Sequence, residues 1–484
     1  MKKIFSPWPV SAAFLVVFFA LLSVPHIGAQ NPFPRQAYQS IIQSVFDFIQ
    51  RNYVDDVDPK TLFEGTMNGM LNSLGDPHSA FLVEREMTDL NDTTSGRFGG
   101  VGLFISKPLE AKPDGTPPFV EVASPIEDTP GWRAGINPGD LIVEIDGEAT
   151  DIISMDTVLA RLRGIPGTSV ELKIRRGPKL EFEVTLTRAV IDVPVVKHEM
   201  IGTTAYLKII QFTPNTVLDT KAAIRSFEES GYQNLIVDLR NNPGGLLDAA
   251  VDIGRLFFDD GVIVSTKSRI PAENFVYTAD GQSVVPVDMP VIILINKGSA
   301  SASEIVAGAL KDRGRAYLVG EKTYGKGSVQ KVYPVGGGVG FRLTTARYFT
   351  PSDVNIDKIG IPPDKEVLFP EFSAADAEKL TQIISANTIP AFVEAHPNAG
   401  GAEVNELANK LGAEYQLDTS LLRRLIRNEQ NRTQIAPVYD IEYDVQLQEA
   451  VNILSTGSYR QLMQSSKTLK TLQDESKKDV PLAS

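Results

Sequence analysis

The chain has 484 residues, 42% of them hydrophobic and 22% charged, with a formal net charge of −13. That is apolar material for about three packed domains, and the acidic balance disfavours nucleic acid as a partner, because phosphate neutralisation needs a basic face. Cysteine is absent, which excludes disulfides, thiolate metal sites, thiol nucleophiles and a lipid-modified N-terminal cysteine.

Lys2 and Lys3 precede an apolar run over residues 10–24, broken only by Ser11 and Ser23, and Gly28-Ala29 supplies small residues before polar sequence. The run falls short of the roughly 20 residues that span a bilayer. Residues 1–29 therefore read as a cleaved export signal, with an uncleaved inner-membrane anchor as the alternative that bulky Ile27 leaves open. Either reading puts the body outside the cytoplasm, in a bacterial periplasm or cell envelope.

Residues 30–95 are predicted to form an N-terminal helical domain. Ile41, Ile42, Val45, Phe46, Phe48 and Ile49 recur at helical spacing. A second helix is expected over 59–74, with Thr61 as its N-cap, Glu64 completing a capping box, and Met67, Met70 and Leu71 on one face.

From residue 96 to 190 the pattern changes to short strands, at 119–122, 140–145 and 169–175, with a hairpin signal at Asp146-Gly147 and an amphipathic helix over 156–163. Gly99-Gly100-Val101-Gly102-Leu103-Phe104-Ile105, followed by Arg133-Ala134-Gly135-Ile136 and Pro138-Gly139-Asp140, resembles a PDZ domain. The resemblance implies that Gly100, Val101, Gly102 and Leu103 hold a peptide's terminal carboxylate on backbone N–H groups while a strand edge pairs with the peptide. Arg175 and Arg176 are candidates for sensing that peptide; the simpler reading is surface charge on a hairpin. A Pro- and Gly-rich insertion over 107–118 lengthens a loop beside the groove.

Residues 191–370 alternate buried-type strands (205–210, 234–239, 291–295) with helices (217–229, 301–311), the pattern of an α/β core. Residues 371–484 return to helical, charged sequence with an amphipathic helix over 440–453 and a Lys-rich polar tail after Ser465 that is expected to be disordered. The fold class is multi-domain α+β: N-terminal helical segment, PDZ-like β-rich domain, α/β peptidase core and C-terminal helical region.

The chemistry concentrates in Gly298-Ser299-Ala300-Ser301-Ala302-Ser303-Glu304 and Tyr324-Gly325-Lys326-Gly327. Small neighbours leave Ser301 uncrowded, and Lys326 sits between glycines. Serine and a neutral lysine together do nucleophilic chemistry without histidine, and none of His26, His78, His198 and His396 lies between residues 236 and 362. All three serines also suit a helix cap. A lysine base must be depressed by burial or a nearby cation; Tyr324 and Val329 are expected to desolvate it. Glu304, one turn beyond Ser301, is placed to face the site, and Asp312 reads as structural. Gly320-x4-Gly325-Lys326 matches most of a phosphate loop, but Gly327 stands where Ser or Thr should ligate magnesium.

Five further segments accompany these: Leu74-Gly75-Asp76-Pro77-His78-Ser79, Asp238-Leu239-Arg240-Asn241-Asn242-Pro243-Gly244-Gly245-Leu246, Gly320 through Gln330, Thr344-Thr345-Ala346-Arg347-Tyr348-Phe349-Thr350-Pro351, and Gly360-Ile361-Pro362-Pro363-Asp364. In this order the chain resembles the carboxyl-terminal processing peptidases, or tail-specific proteases, over residues 37–368 and 440–454. The resemblance implies a serine endopeptidase with a Ser-Lys dyad. Its nucleophile is the middle serine, Ser301, 25 residues before Lys326 (326 − 25 = 301), and Gln330 orients the lysine. Oxyanion N–H groups come from Gly245, with Gly244 a further candidate, and from Ala302. It implies no cofactor and no metal, protein substrates with free C-termini, and a homo-oligomer such as a dimer through the helical termini. One departure is Ser352-Asp353-Val354-Asn355, where the family carries Ser-Gly-Arg-Ser. The competing function is a catalytically inactive PDZ scaffold of the cell envelope, which serine-directed acylating reagents would separate from an enzyme.

Overall fold

The computed structural model describes residues 34–108, 111, 116–177, 180–369, 373–433 and 437–478. The apolar run at 10–24 and part of the 107–118 insertion lie outside them. No helix among the described residues is long and apolar enough to cross a membrane. The chain divides into two compact units, Met1–Leu74 and Gly75–Ser484.

The first unit holds helices α1 (Arg35–Asn52) and α2 (Pro59–Asn72). The apolar stripe of α1 is present, but Ile41, Ile42, Val45 and Phe48 stay exposed, and neither helix has a buried residue. The cap of α2 is not Thr61. Asp58 accepts the Lys60 N–H at 2.9 Å and Pro59 takes the first helical position, where its missing N–H costs nothing.

The helical segment expected to reach residue 95 does so, but a short strand interrupts it. Strand β1 (Ala80–Leu82) belongs to the second unit, as does α3 (Glu84–Ser95). Then come β2 (Arg97–Gly100), β3 (Leu103–Ser106), β4 (Val120–Pro125), the short α4 (Pro130–Arg133), β5 (Leu141–Ile145), β6 (Glu148–Ala149), α5 (Met155–Leu162), β7 (Ser169–Arg176), β8 (Leu180–Thr187) and β9 (Ala189–Asp192). Strands β3-β4-β5-β7-β8 form one sheet, and β2 pairs only with β9, so both connections to this PDZ-like module run through one two-stranded ribbon. Its core is Val120, Val122, Ile136, Ile142, Ile145, Val158, Leu172 and Ile174.

The α/β part follows with β10 (Val196–Ile201), β11 (Thr204–Ile209), α6 (Thr216–Glu229), β12 (Asn234–Asp238), α7 (Leu247–Arg255), β13 (Asp260–Ser268), β14 (Phe275–Asp280), β15 (Val291–Ile295), α8 (Ala302–Asp312), β16 (Tyr317–Gly320), β17 (Ser328–Gly336), β18 (Val339–Phe349) and β19 (Lys365–Glu366). One sheet runs β10-β11-β12-β15-β16-β19, parallel from β11 onward; a second runs β1-β18-β13-β14, with β17 also on β18. The continuous apolar reading of β12 and β15 follows from burial on both faces. Leu235, Val237, Ile293 and Ile295 join the core with α6, α7 and α8.

Ile236, Ile292 and Leu294 face the other way, onto Leu447, Ala450, Ile453 and Leu454. These belong to α13 (Val445–Ser455), which follows α9 (Ala377–Ser385), α10 (Thr388–Ala395), α11 (Gly401–Tyr415) and α12 (Thr419–Thr433). Helices α9 to α12 hold their own apolar cluster around Val404, Leu411 and Leu422. Burying each large side chain of α13 stabilises by about 1.5–3 kcal/mol.

After α14 (Tyr459–Ser465), the tail expected to be disordered is instead helical at α15 (Leu469–Lys478). Leu469 is buried, and its N–H donates to Asp312 Oδ1 at 2.7 Å. Asp312 also accepts the Ser352 N–H and hydroxyl, so it is a structural clamp. Asp353 adopts a left-handed φ of 61°, the conformation glycine takes most readily, and pairs with Lys267.

Candidate active site

Strands β12, β15 and β16 are parallel neighbours, so the loops that follow them leave from one edge of the sheet, the usual location of a site in an open α/β fold. The first loop carries Gly244 and Gly245, the second Ser301, the third Lys326.

Ser301 has φ 54° and ψ −113°. A non-glycine residue there costs about 1–3 kcal/mol and must be held by its surroundings. Its N–H donates to Glu304 Oε2 at 2.9 Å, and its carbonyl accepts from Glu304 N, Ile305 N and the Tyr348 hydroxyl. The flanking serines are buried and committed. Ser299 Oγ donates to the Leu239 carbonyl at 2.8 Å, and Ser303 Oγ to the Asn242 carbonyl at 2.9 Å. Both stitch the 239–242 loop to the start of α8. The half-buried Ser301 hydroxyl donates to no described group.

Glu304 is fully buried and joins the serine loop to the lysine loop. Oε2 accepts the N–H of both Ser301 and Lys326, each at 2.9 Å; Oε1 accepts Gly325 N at 2.8 Å and the Thr323 hydroxyl. Burial pushes this carboxyl up, and the four donors pull it back. Tyr348 makes a second clip: its hydroxyl donates to the carbonyls of Lys326 and Ser301. Burial raises that phenol well above its ordinary range, so it remains a donor.

The Lys326 amine is pushed below the ordinary lysine range by burial and then by the Arg342 guanidinium, with Glu304 acting the other way. Tyr324, expected to shield it, is 63% exposed; its N–H donates to the Ser299 carbonyl instead. Gln330 does not hydrogen-bond Lys326: its amide nitrogen donates to Ser328 Oγ at 2.9 Å and Thr344 Oγ1 at 3.2 Å.

Gly244 packs against the serine turn. A Cβ there would lie 2.8 Å from Ser301 Cβ, and one on Gly245 would lie 2.0 Å from the Phe212 carbonyl oxygen, so only glycine fits. The Gly244 N–H is committed to Asn242 Oδ1 at 2.9 Å, which removes it as an oxyanion donor. The N–H groups of Gly245 and Ala302 have no acceptor among the described residues. The phosphate-loop reading fails on topology: residues 320–327 run into strand β17, whereas a phosphate loop opens a helix.

In the PDZ-like module, Val101, Gly102 and Leu103 line a cavity of about 290 Å³ with Phe98, Ile105 and Leu159. The carbonyls of Val101 and Gly102 are turned inward onto Gly131 N and Ile126 N. Gly100 lies in β2 opposite Ala189 and not in the lining. Arg175 and Arg176 are also absent from it: Arg175 pairs with Glu181, and Arg176 with buried Asp140. The cation in the groove is Arg163, held by Asp89 at 2.8 Å and near Asp92. It follows α5, where charge alone did not single it out.

Behind the 239–245 loop, Arg240 is clasped by two carboxylates. Asp238 takes its Nε and Nη2, Asp444 its Nη1 (2.8 Å) and Nη2 (2.6 Å), Gln446 Oε1 accepts Nη1, and Tyr206 donates to Asp238 at 2.6 Å. Burial alone would raise Asp238, but Arg240 holds it below the usual carboxylate range. Asp444 also caps α13 through Leu447 N. Asp444→Ala is expected to destabilise by about 2–4 kcal/mol, because it removes two hydrogen bonds to a buried guanidinium that Asp238 alone then neutralises, and a helix cap. A urea midpoint shift that, at unchanged slope, corresponds to less than about 1 kcal/mol would show the clasp to be inessential.

Three family models match the chain: Peptidase family S41 over residues 203–367, PDZ domain over 121–176, and Activating protease CtpB N-terminal domain over 29–86. The Carboxy-terminal-processing protease of Bartonella bacilliformis is 40% identical over 326 residues, covering 66% of this chain and 73% of that protein. The Carboxyl-terminal-processing protease of Synechocystis sp. is 39% identical over 313 residues, covering 63% and 71%. A solved structure, the photosystem II D1 C-terminal processing protease, is similar at 30% identity and a TM-score of 0.42, over 72% of this chain and 97% of that one.

Proposed function

Since the chain belongs to the carboxyl-terminal-processing proteases of peptidase family S41, and is a serine-type peptidase, we propose that Ser301 and Lys326 are its nucleophile and general base and that its PDZ domain captures the C-terminal tails of exported proteins. The observation that carries this reading is the shared Glu304 oxygen, which accepts the backbone N–H of both residues.

The neutral Lys326 amine takes the Ser301 proton as Oγ attacks the scissile carbonyl carbon. The resulting oxyanion is stabilised by the uncommitted N–H groups of Gly245 and Ala302, with the N-terminus of α8 adding positive potential. Collapse breaks the C–N bond, and the Lys326 ammonium protonates the departing amine. Water, deprotonated by the same lysine, then hydrolyses the acyl-enzyme. The Gln330 amide oxygen is left as an acceptor that can orient the ammonium. No step calls for a metal or cofactor.

Tail capture is assigned to the groove lined by Val101, Gly102 and Leu103, whose apolar walls suit an apolar last residue. Residues 1–29 support export, with or without retention as an inner-membrane anchor, and the exposed stripe on α1 supports pairing with a second copy, as in a dimer.

The test is a phosphonylating serine reagent followed by peptide mapping, together with cleavage of an unstructured protein ending in a free apolar carboxylate or its amide. Label on Ser301 and preference for the free carboxylate are expected. An unlabelled, inactive protein would favour the scaffold reading, and label on another serine would reassign the nucleophile. Equal rates for both tails would remove the PDZ groove from recognition.

A further inference from the structure

Every main-chain polar group from Gly325 to Gly327 is committed, as buried peptide groups require. Glu304 accepts the N–H of Gly325 and of Lys326, and the Tyr348 hydroxyl and N–H donate to the carbonyls of Lys326 and Gly327. The remaining contacts come from a loop over residues 352–360 that has no part in the mechanism above. Lys358 N donates to the Gly325 carbonyl at 2.8 Å, Asp357 Oδ1 accepts Gly327 N at 3.1 Å, and Asn355 Nδ2 donates to the Gly327 carbonyl at 3.3 Å. The same Asn355 nitrogen donates to the Tyr348 carbonyl at 2.7 Å, and its Oδ1 accepts Asp357 N at 3.2 Å. One side-chain amide thus ties together the lysine loop, β18 and the Asp357 turn.

This loop lies directly on the two glycines. A Cβ on Gly325 would be 2.8 Å from Gly360 N, and one on Gly327 would be 2.5 Å from Asp357 N, which accounts for a lysine placed between glycines. The loop is itself anchored: Val354 and Ile356 are buried in the core, and Asp312 accepts the Ser352 N–H and hydroxyl. Asn355 belongs to the stretch in which the chain departs from the family's Ser-Gly-Arg-Ser.

We propose that Asn355 and Asp357 are positioning residues for the Lys326 base. Asp357 fixes the peptide plane that joins Lys326 to Gly327, and Asn355 fixes the next one. A general base works only within hydrogen-bond reach of the proton it takes, and these planes set where the lysine side chain starts.

This inference rests on the Ser301–Lys326 reading. The experiment measures kcat and KM separately on an unstructured protein substrate for wild type, Asn355→Asp, Asp357→Ala, Asp357→Asn and Lys326→Ala, with folding followed by circular dichroism. Asn355→Asp keeps the shape but turns a carboxylate oxygen onto the carbonyls of Gly327 and Tyr348. Displacing the base in this way should lower kcat by about a hundredfold and leave KM unchanged. Asp357→Ala should lower kcat by about tenfold, again at constant KM. Asp357→Asn retains an oxygen for Gly327 N and should recover most of that loss. The two Asp357 variants decide the matter if Asn355→Asp does not fold. Unchanged kcat in folded Asp357→Ala, or an equal loss in Asp357→Asn, with Lys326→Ala inactive, overturns this inference alone. So does a rise in KM at constant kcat. Activity surviving in Lys326→Ala overturns the dyad beneath it.

Discussion

Ser301→Ala and Lys326→Ala are each expected to lower kcat/KM by about 10⁴- to 10⁶-fold, and the double variant by no more than either alone. A nucleophile without its base, or a base without its nucleophile, completes no proton transfer, so effects within one catalytic unit do not add. A loss of about 10⁵ corresponds to about 7 kcal/mol of transition-state stabilisation. Neither change should unfold the protein: alanine keeps the Cβ that the strained turn already accommodates, and removing a half-buried lysine relieves desolvation. Multiplicative losses in the double variant would mean that the two residues act in separate steps.

The second large effect is expected at Glu304→Gln. Four donors converge on this buried carboxylate, and Thr323 Oγ1 already accepts Ile361 N, which commits its proton to Glu304. Whichever way a glutamine amide is turned, its NH₂ meets two donors. Each unsatisfied buried donor costs about 1–3 kcal/mol, so stability should fall by about 2–6 kcal/mol and kcat by about a hundredfold or more as the Ser301 turn relaxes. Peptide affinity of the PDZ groove should be unchanged. The folded-state carboxyl is raised, so the native protein holds its proton to higher pH than the unfolded chain. Stability therefore falls as pH rises through the window between the two values, and the substitution should abolish that slope. Normal turnover in folded Glu304→Gln would show that the two loops hold each other without it.

Strands buried on both faces were the most legible elements: β15 spans the five apolar residues of the expected 291–295 run. Where a single remote partner decides the outcome, local pattern gave no signal. The polar tail folds as α15 because Leu469 and Asp312 meet across 157 positions, and Thr61 yields to Asp58 because Pro59 starts the helix one turn sooner. The PDZ cation was missed because β7 directs Arg175 and Arg176 toward Glu181 and Asp140, whereas Arg163 faces the groove from just beyond a helix. The proposed Ser-Lys pair was singled out by its motifs. Its support was not: Tyr348 comes from a strand in the other sheet, and only strand register brings it in.

The clasp on Arg240 also bears on the order of biosynthesis. Its second carboxylate lies 204 positions downstream, next to the helix that covers Ile236, Ile292 and Leu294. A chain emerging N-terminus first carries Ser301 and Lys326 well before residue 444 exists to close the loop that bears Gly244 and Gly245. The full clasp behind Gly244 and Gly245 therefore forms only once α13 has been made.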